Sequence, residues 1–389
     1  MLSINDIVTK TGLFQAAEGI YSGSSAGIDR MSTKQFLELL EDTFLGSDLI
    51  EAIRAGTYKP MAMETRLIPK PDGTHRKIFI PTVTDRAIQK MIVTGLTPIT
   101  ESRFVEESYG FRPGRNTYQA VKRASELTKA GNRACLLIDL RNFFGNIDRE
   151  RLNKLIRDYG ISPEVRKLVN QFMTMKAVDK YQVSKVSGIP AGIPIAPLLA
   201  NVYLHPLDKF LERNGTPFVR YADDISLFFR STSEAESFLE KFTGICGQDF
   251  KVVINQSKTI TVTAGSRSIL GFLVDDCGGI SFSAKAIGNL REKLSDLADA
   301  QLSLKEIAVR AKSIVYGLLA YYRHIDDFES LKAAIDGLLH EFRYVLKSRF
   351  SAFESALWAE VPPSRIDEIS EAATEGLWRL FPAVTFTSG

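Results

Sequence analysis

At 389 residues, 44% hydrophobic and 24% charged, the chain suits a globular protein of two or three subdomains and excludes a disordered or fibrous one. Its net charge of +3 does not by itself announce a nucleic-acid binder, so phosphate binding would need positive charge gathered locally. No stretch is apolar for long enough to span a bilayer, and Met1-Leu2-Ser3-Ile4-Asn5-Asp6 lacks the basic-then-apolar start of a secretory leader, so the expected location is cytoplasmic with no membrane contact.

Residues 31–55 have helical periodicity, with Phe36, Leu39, Leu40, Phe44, Leu45, Leu49 and Ile50 spaced for one buried face. A hairpin follows the punctuation at Gly56-Thr57-Tyr58-Lys59-Pro60: Met63 to Pro69, a Pro71-Asp72-Gly73 turn, and Lys77 to Ile80. Helices are predicted over 84–98 and 115–130, the second begun near Asn116 and ended by Gly131. The apolar run Ala134-Cys135-Leu136-Leu137-Ile138 reads as a strand ending in the carboxylate of Asp139. Helices near 149–158 and 162–174 separate it from the Pro/Gly-bearing segment 188–197, which opens a helix through Leu211. Phe218 to Phe229 reads as a hairpin with Asp223 and Asp224 at its tip. Strands interleaved with helices and joined by antiparallel hairpins imply an α+β fold rather than a doubly wound sheet. After Ser283 the pattern is helical only: one helix with Leu290, Leu294 and Leu297, then Ile307 to Tyr322 and Phe328 to Phe350. An aromatic at helical spacing is more often core than contact surface, so Tyr316 is expected inside. Cys135, Cys246 and Cys277 are scattered and odd in number; they fit neither a disulfide framework nor a zinc site, and Cys135 reads as core.

Two adjacent carboxylates repel, and a protein keeps them beside apolar strands mainly when a divalent cation neutralises them. Three carboxylates on two strand ends, Asp139 with Asp223 and Asp224, can hold two Mg²⁺ for in-line phosphoryl transfer. A solvated Asp-Asp turn is the alternative for such a pair taken alone. Basic clusters span Arg66 to Lys77 and Arg103 to Arg115; around Arg343, Lys347 and Arg349 the charge is diluted by Glu341 and Glu354.

Tyr221-Ala222-Asp223-Asp224 resembles the palm motif of reverse transcriptases, and its context resembles the group II intron lineage. The same lineage is resembled, in its order, by Gly27-Ile28-Asp29, Gly56-Thr57-Tyr58-Lys59-Pro60, Ile68-Pro69-Lys70-Pro71-Asp72-Gly73 and Asp85-Arg86-Ala87-Ile88-Gln89. Ser108-Tyr109-Gly110-Phe111-Arg112-Pro113-Gly114-Arg115, Asp139 to Asp148, Pro197-Leu198-Leu199-Ala200-Asn201 and Leu270-Gly271-Phe272 continue the series. The resemblance runs from about residue 20 to 283 and more weakly beyond. It implies a right-hand polymerase: an N-terminal extension over 1–60, fingers and palm over 61–283 with an antiparallel sheet and helices, and an all-helical thumb over 284–389. No endonuclease extension is expected. The implied partners are an RNA template, a DNA or RNA primer and deoxynucleoside triphosphates, and the implied cofactor is a pair of Mg²⁺ ions for which Mn²⁺ substitutes.

The resemblance also assigns roles. Asp139, Asp223 and Asp224 would be catalytic and metal-binding, with the Leu140 carbonyl as a further ligand. Lys70 and Arg76 would grip the incoming triphosphate, beside Ala191 and Gly192; the chemistry suits, since Arg offers a fork to phosphate oxygens and Lys a mobile point charge. Phe144 would collide with a ribose 2′-hydroxyl, while Phe143 reads as core. Lys258 would protonate pyrophosphate, Gly271 and Phe272 would form the primer grip, and Arg112 and Arg115 would touch template. One departure stands out: Pro190-Ala191-Gly192 replaces the lineage's usual Pro-Gln-Gly, and Ala196 replaces a usual serine. Two alternatives therefore stay open: an antiviral-defence reverse transcriptase with synthesis templated by a dedicated non-coding RNA, protein-primed or untemplated, and an RNA-binding intron maturase.

Overall fold

The computed structural model describes residues 2–69, 73, 75–179, 182–262 and 265–358, with backbone only for Thr43 and for 350–358. The chain divides into two compact units, Met1–Gly265 and Ser266–Gly389.

The first unit opens with four helices, α1 (Ile4–Ile7), α2 (Lys10–Glu18), α3 (Thr33–Glu41) and α4 (Thr43–Arg54). The single helix expected over 31–55 is therefore two. The Asp42 carboxylate accepts the N–H groups of Phe44 and Leu45, both at 2.9 Å, and this N-cap starts a new helix on a new axis. The break turns Phe44 (81% exposed) and Leu45 outward, while Phe36, Leu40 and Ile50 stay buried. Then come β1 (Met63–Pro69), β2 (His75–Ile80), α5 (Val83–Glu101), α6 (Thr117–Lys129), β3 (Ala134–Ile138), α7 (Phe143–Asn146), α8 (Arg149–Asp158) and α9 (Pro163–Met173). β4 (Lys176–Asp179), β5 (Gln182–Lys185), α10 (Ala196–Arg213), β6 (Phe218–Tyr221), β7 (Asp224–Phe229), α11 (Thr232–Gln248) and β8 (Ile260–Val262) complete it.

Two sheets result. One has the order β2-β1-β4-β5, its only parallel pair being β1 with β4. The other, β6-β7-β3-β8, is antiparallel throughout and carries the acidic residues. The mixed α+β architecture agrees with the sequence reading. Ile4, Leu13, Phe36 and Ile53 belong to the same buried cluster as Leu136, Phe172, Leu204 and Leu227. Residues 1–60 thus share the core of this unit instead of standing apart as an extension.

The second unit holds β9 (Arg267–Ile269), β10 (Phe272–Val274) and β11 (Ile280–Phe282) in an antiparallel sheet of order β11-β10-β9. Among the described residues three helices follow: α12 (Ala284–Asp299), α13 (Leu304–Tyr322) and α14 (Phe328–Trp358). The division falls earlier than the 283/284 boundary, because the small sheet goes with the helices. Helix α13 buries Ile307, Ala311, Val315, Leu319 and Tyr322 at helical spacing. That stripe corrects the expectation for Tyr316, which lies off it, 51% exposed, with the Lys312 ammonium 5.5 Å from its ring centre. Cys277 is exposed in the turn between β10 and β11, its N–H donating to the Asp275 carboxylate at 2.8 Å, whereas Cys135 and Cys246 are buried. No helix among the described residues is long and apolar enough to cross a membrane.

Candidate active site

Strand β3 lies between β7 and β8, and its register with β7 pairs Ile138 with Ile225. The next pair in that register sets Asp139 opposite Asp224. On the other side of β7, Tyr221 pairs with Asp224, so Ala222 and Asp223 form the turn, with Ala222 in the left-handed region at φ 57°. Beyond β3 the chain stays paired: the Asp139 carbonyl accepts the Asn255 N–H and the Arg141 N–H donates to the Val253 carbonyl, both at 2.8 Å. The Leu140 carbonyl lies between these two bonds and is used by neither. Asn255 makes a second contact, its side-chain amide donating to the Asp139 carboxylate at 2.8 Å.

The electrostatics mark the three carboxylates as a group. Burial pushes the Asp224 carboxyl up to about 6, helped by the negative charges of Asp223 and Asp139. Burial also raises Asp223, as does Asp139, while Arg76 and Arg220 pull it back down. The pull from Arg76 shows that β2 brings this guanidinium within electrostatic reach of the turn. As the side chains lie, no three acidic, histidine or cysteine groups among the described residues are close enough to enclose a metal ion. The expected convergence is thus one of backbone register and charge, not a preformed cage. The donor chemistry nevertheless fits a hard divalent cation: three carboxylates and a free carbonyl, all oxygen, with negative charge in excess.

Several other expected residues are held by contacts of their own. Phe144 is half-buried beside Phe143, ring centres 5.5 Å apart, and Phe143 packs on Tyr203 in the core as expected. The Phe144 carbonyl accepts the Ile189 N–H at 2.8 Å, and Ser187 donates to the Gly145 carbonyl at 3.0 Å. Arg149 ties the same segment down, donating to the carbonyls of Gly188 and Val186. Gly188, at φ 60°, lies so close that a Cβ would sit 2.0 Å from the Phe144 carbonyl oxygen. The Pro190-Ala191-Gly192 turn rests on β2: Phe79 donates its N–H to the Ala191 carbonyl at 2.9 Å, and a Cβ on Gly192 would meet Ile78 at 2.6 Å. Lys258 is exposed on the turn that begins at Asn255, its N–H donating to the Asn255 carbonyl at 3.1 Å.

Other expected residues are placed differently. Lys70 lies outside the described residues. Arg112 is buried and spends its guanidinium on Glu101 (2.9 Å) and on the carbonyls of Val105 and Ser108 (2.6 and 2.7 Å), so it braces its own loop instead of facing a template. Arg115 is likewise engaged by the side chain and carbonyl of Glu106 and sits over the Tyr109 ring. In the second unit Phe272 is wholly buried between Tyr321 and Tyr322, ring centres 4.9 and 4.8 Å away. Its side chain is core, not a gripping surface. Leu270 (φ 51°) and Gly271 (φ 84°) form the preceding turn, and their carbonyls accept the hydroxyls of Tyr321 and Tyr322 at 2.6 and 2.7 Å.

Sequence reasoning passed over Asn255, Arg149, Gly188 and above all Arg220. The signal for Arg220 was available: a guanidinium inside an apolar strand requires a buried acceptor. Asn201 and Asp208, two helical turns apart among the buried residues of α10, are the residues that answer it.

The description of the reverse transcriptase (RNA-dependent DNA polymerase) family matches residues 68–274, and the chain belongs to that family. Over 203 residues it is 33% identical to the group II intron-encoded protein LtrA of Lactococcus lactis subsp. cremoris, covering 51% of this chain and 33% of LtrA. Protein YkfC of Escherichia coli (strain K12) is 27% identical over 253 residues, 54% of this chain and 66% of YkfC. The retron Mx65 reverse transcriptase of Myxococcus xanthus is 22% identical over 286 residues, 69% of this chain and 63% of its own length. The chain therefore spans a third of LtrA and somewhat under two thirds of the other two. These relatives agree with the group II intron-like resemblance read from the motifs.

Proposed function

We propose that this chain is an RNA-directed DNA polymerase, adding deoxynucleotides to a primer 3′-hydroxyl along an RNA template. Family membership supports the reading, and one arrangement carries it: Asp223 and Asp224 on the β6–β7 turn, opposite Asp139 at the end of β3. In-line phosphoryl transfer asks a protein mostly for positioning and charge neutralisation. Asp139, Asp223, Asp224 and the Leu140 carbonyl would hold two Mg²⁺, with Mn²⁺ as a substitute. Such ions supply an activated 3′-hydroxyl and a neutralised leaving group. Arg76, together with Lys70, would take the triphosphate oxygens. The Phe144 ring would exclude a 2′-hydroxyl by contact, with Ala191 and Gly192 offering backbone beside the nucleotide. Lys258 would donate a proton to departing pyrophosphate. In this reading the first unit provides fingers and palm, the Leu270-Gly271 turn lies against the primer, and the helices after Ser283 act as a thumb.

The test is primer extension by the purified chain on an RNA template with Mg²⁺ or Mn²⁺. Incorporation is expected from the parent chain and none from Asp223→Ala; activity that survives this substitution refutes the assignment. One observation favours a second reading: Ala191 contributes only its backbone carbonyl, bound to Phe79, where the lineage usually presents a glutamine amide. An antiviral-defence enzyme making untemplated DNA, or copying a dedicated non-coding RNA, would lose that contact without harm. Sequencing the product made without added template separates the two. An intron maturase would instead keep its biological function in Asp223→Ala.

A further inference from the structure

Behind the acidic turn lies a second polar assembly, separate from the carboxylates. The Arg220 side chain on β6 is 0% exposed, yet all five N–H groups of its guanidinium find acceptors. Two go to Asp208 at 2.7 and 2.6 Å, one to the Ser108 hydroxyl at 2.7 Å, one to the Asn201 amide oxygen at 2.9 Å, and one to the Ala222 carbonyl at 2.8 Å. Asn201 extends the assembly by donating to the Gly110 carbonyl at 2.8 Å. Gly110 in turn abuts the turn so closely that a Cβ there would lie 2.2 Å from the Ala222 nitrogen.

Ala222 is the residue that needs holding. It is a non-glycine residue at φ 57°, a conformation that persists where the surroundings over-determine it. Arg220 grips its carbonyl from one side and Gly110 backs its nitrogen from the other, while the next two residues are Asp223 and Asp224. A buried ion pair is weak grounds for stability, since apolar residues of the same volume often do as well. What the guanidinium offers instead is a rigid fork that can address Asp208 and Ala222 together, which a lysine ammonium cannot.

We infer that Arg220, oriented by Asp208 and Asn201, is a positioning residue that fixes the left-handed Ala222 turn and thereby sets Asp223 and Asp224 for a divalent cation. The inference deepens the polymerase reading and rests on it for the purpose of the carboxylates. A purely structural role, joining the 105–112 loop to α10, is the competing account, and it predicts no particular effect on cation binding.

The experiment compares the full chain with Arg220→Lys, Asn201→Ala and, as a control of general destabilisation, Leu168→Ala in the core around α9. Asn201→Ala keeps the Arg220–Asp208 pair and so serves should Arg220→Lys fail to fold. Free Mn²⁺ is titrated by its paramagnetic resonance signal, without nucleic acid or nucleotide, on samples whose folded fraction is fixed by circular dichroism. The Mg²⁺ half-saturation of primer extension is measured in parallel. Arg220→Lys and Asn201→Ala are expected to weaken Mn²⁺ binding about tenfold, the usual effect of removing an outer-shell partner, and to raise the Mg²⁺ midpoint similarly. Leu168→Ala should leave both unchanged. Unaltered Mn²⁺ affinity in the folded variants, equal weakening in Leu168→Ala, or a parent chain that binds no Mn²⁺ would overturn the inference. A parent chain that binds Mn²⁺ with this dependence on Arg220 yet extends no primer would refute the polymerase reading and leave this one standing.

Discussion

Replacing Gly188 by alanine tests how the Phe144 ring is held. The new Cβ would lie 2.0 Å from the Phe144 carbonyl oxygen and 2.6 Å from the Gly145 carbonyl carbon, both backbone atoms that cannot swing aside. At φ 60° the residue must also pay for a left-handed conformation, which for a non-glycine residue costs about 1–2 kcal/mol. Relieving the overlap requires the 187–189 segment to lift, stretching the Ile189-to-Phe144 and Ser187-to-Gly145 hydrogen bonds, each worth about 1 kcal/mol. The sum is a destabilisation of about 3–4 kcal/mol, a large share of the roughly 5–15 kcal/mol that holds a typical domain folded. Urea unfolding reads this directly. Gly244 is the matched control: it sits inside α11 with nothing within 4 Å of a Cβ, so alanine there should stabilise by about 0.5–1 kcal/mol. In the folded Gly188→Ala population, selection of deoxy- over ribonucleotides should fall, because the backbone that carries the Phe144 ring is displaced. A stability loss under about 1 kcal/mol would refute the packing argument. Unchanged sugar selection beside the full stability loss would refute the role given to Phe144.

Three further outcomes are expected. Asn255→Ala removes the amide that orients the Asp139 carboxylate, and kcat for primer extension should fall about tenfold; an unchanged rate would show that Asp139 needs no such support. Burial raises the Asp85 carboxyl from 3.8 to about 6 although Tyr58, Thr82 and the Met61 N–H all donate to it. A raised acid contributes stability that is whole below 3.8 and lost as pH climbs through 6, up to about 3 kcal/mol; Asp85→Asn, whose amide can face the Tyr58 hydroxyl, should remove that slope from unfolding measured across this window. His205 has the opposite sign: burial beside Phe104 and Tyr159 lowers it from 6.5 to about 4, so its contribution is whole above 6.5 and lost as pH falls to 4. Allowing for its partial exposure, about 1–2 kcal/mol of acid sensitivity should disappear in His205→Phe, and an identical acid limb in the variant would contradict this.

The parts of this structure that could be read in advance are those written locally. Asn116 caps α6 and Gly131 ends it because a side-chain oxygen and a missing Cβ act within one turn of the chain. The apolar run into Asp139 and the acidic hairpin were legible for the same reason, as was their position on adjacent strands once the family order was recognised. β4 and β5 were not, since the short polar segment of β4 becomes a strand by pairing with β1 far away in sequence, and β5 by pairing with β4 in turn. Asp42 was legible in principle, but its capping role is hidden within an unbroken apolar period. For Arg112 and Phe272 the motif was right and the direction of the side chain was not. A motif fixes where the backbone goes, whereas burial is decided by neighbours such as Glu101 and Tyr322 that lie outside it.

The distribution of thiols has a practical use. Cys135 and Cys246 are sealed in the first unit, and burial raises the Cys246 thiol to about 12, so neither should meet an alkylating reagent while the fold is intact. Cys277 alone stands in the open, on a tight turn of the second unit. A maleimide dye would therefore mark one defined spot on the native chain without any engineering, and the colour of that dye could report whether the surroundings of the second unit change when RNA and a primer are added.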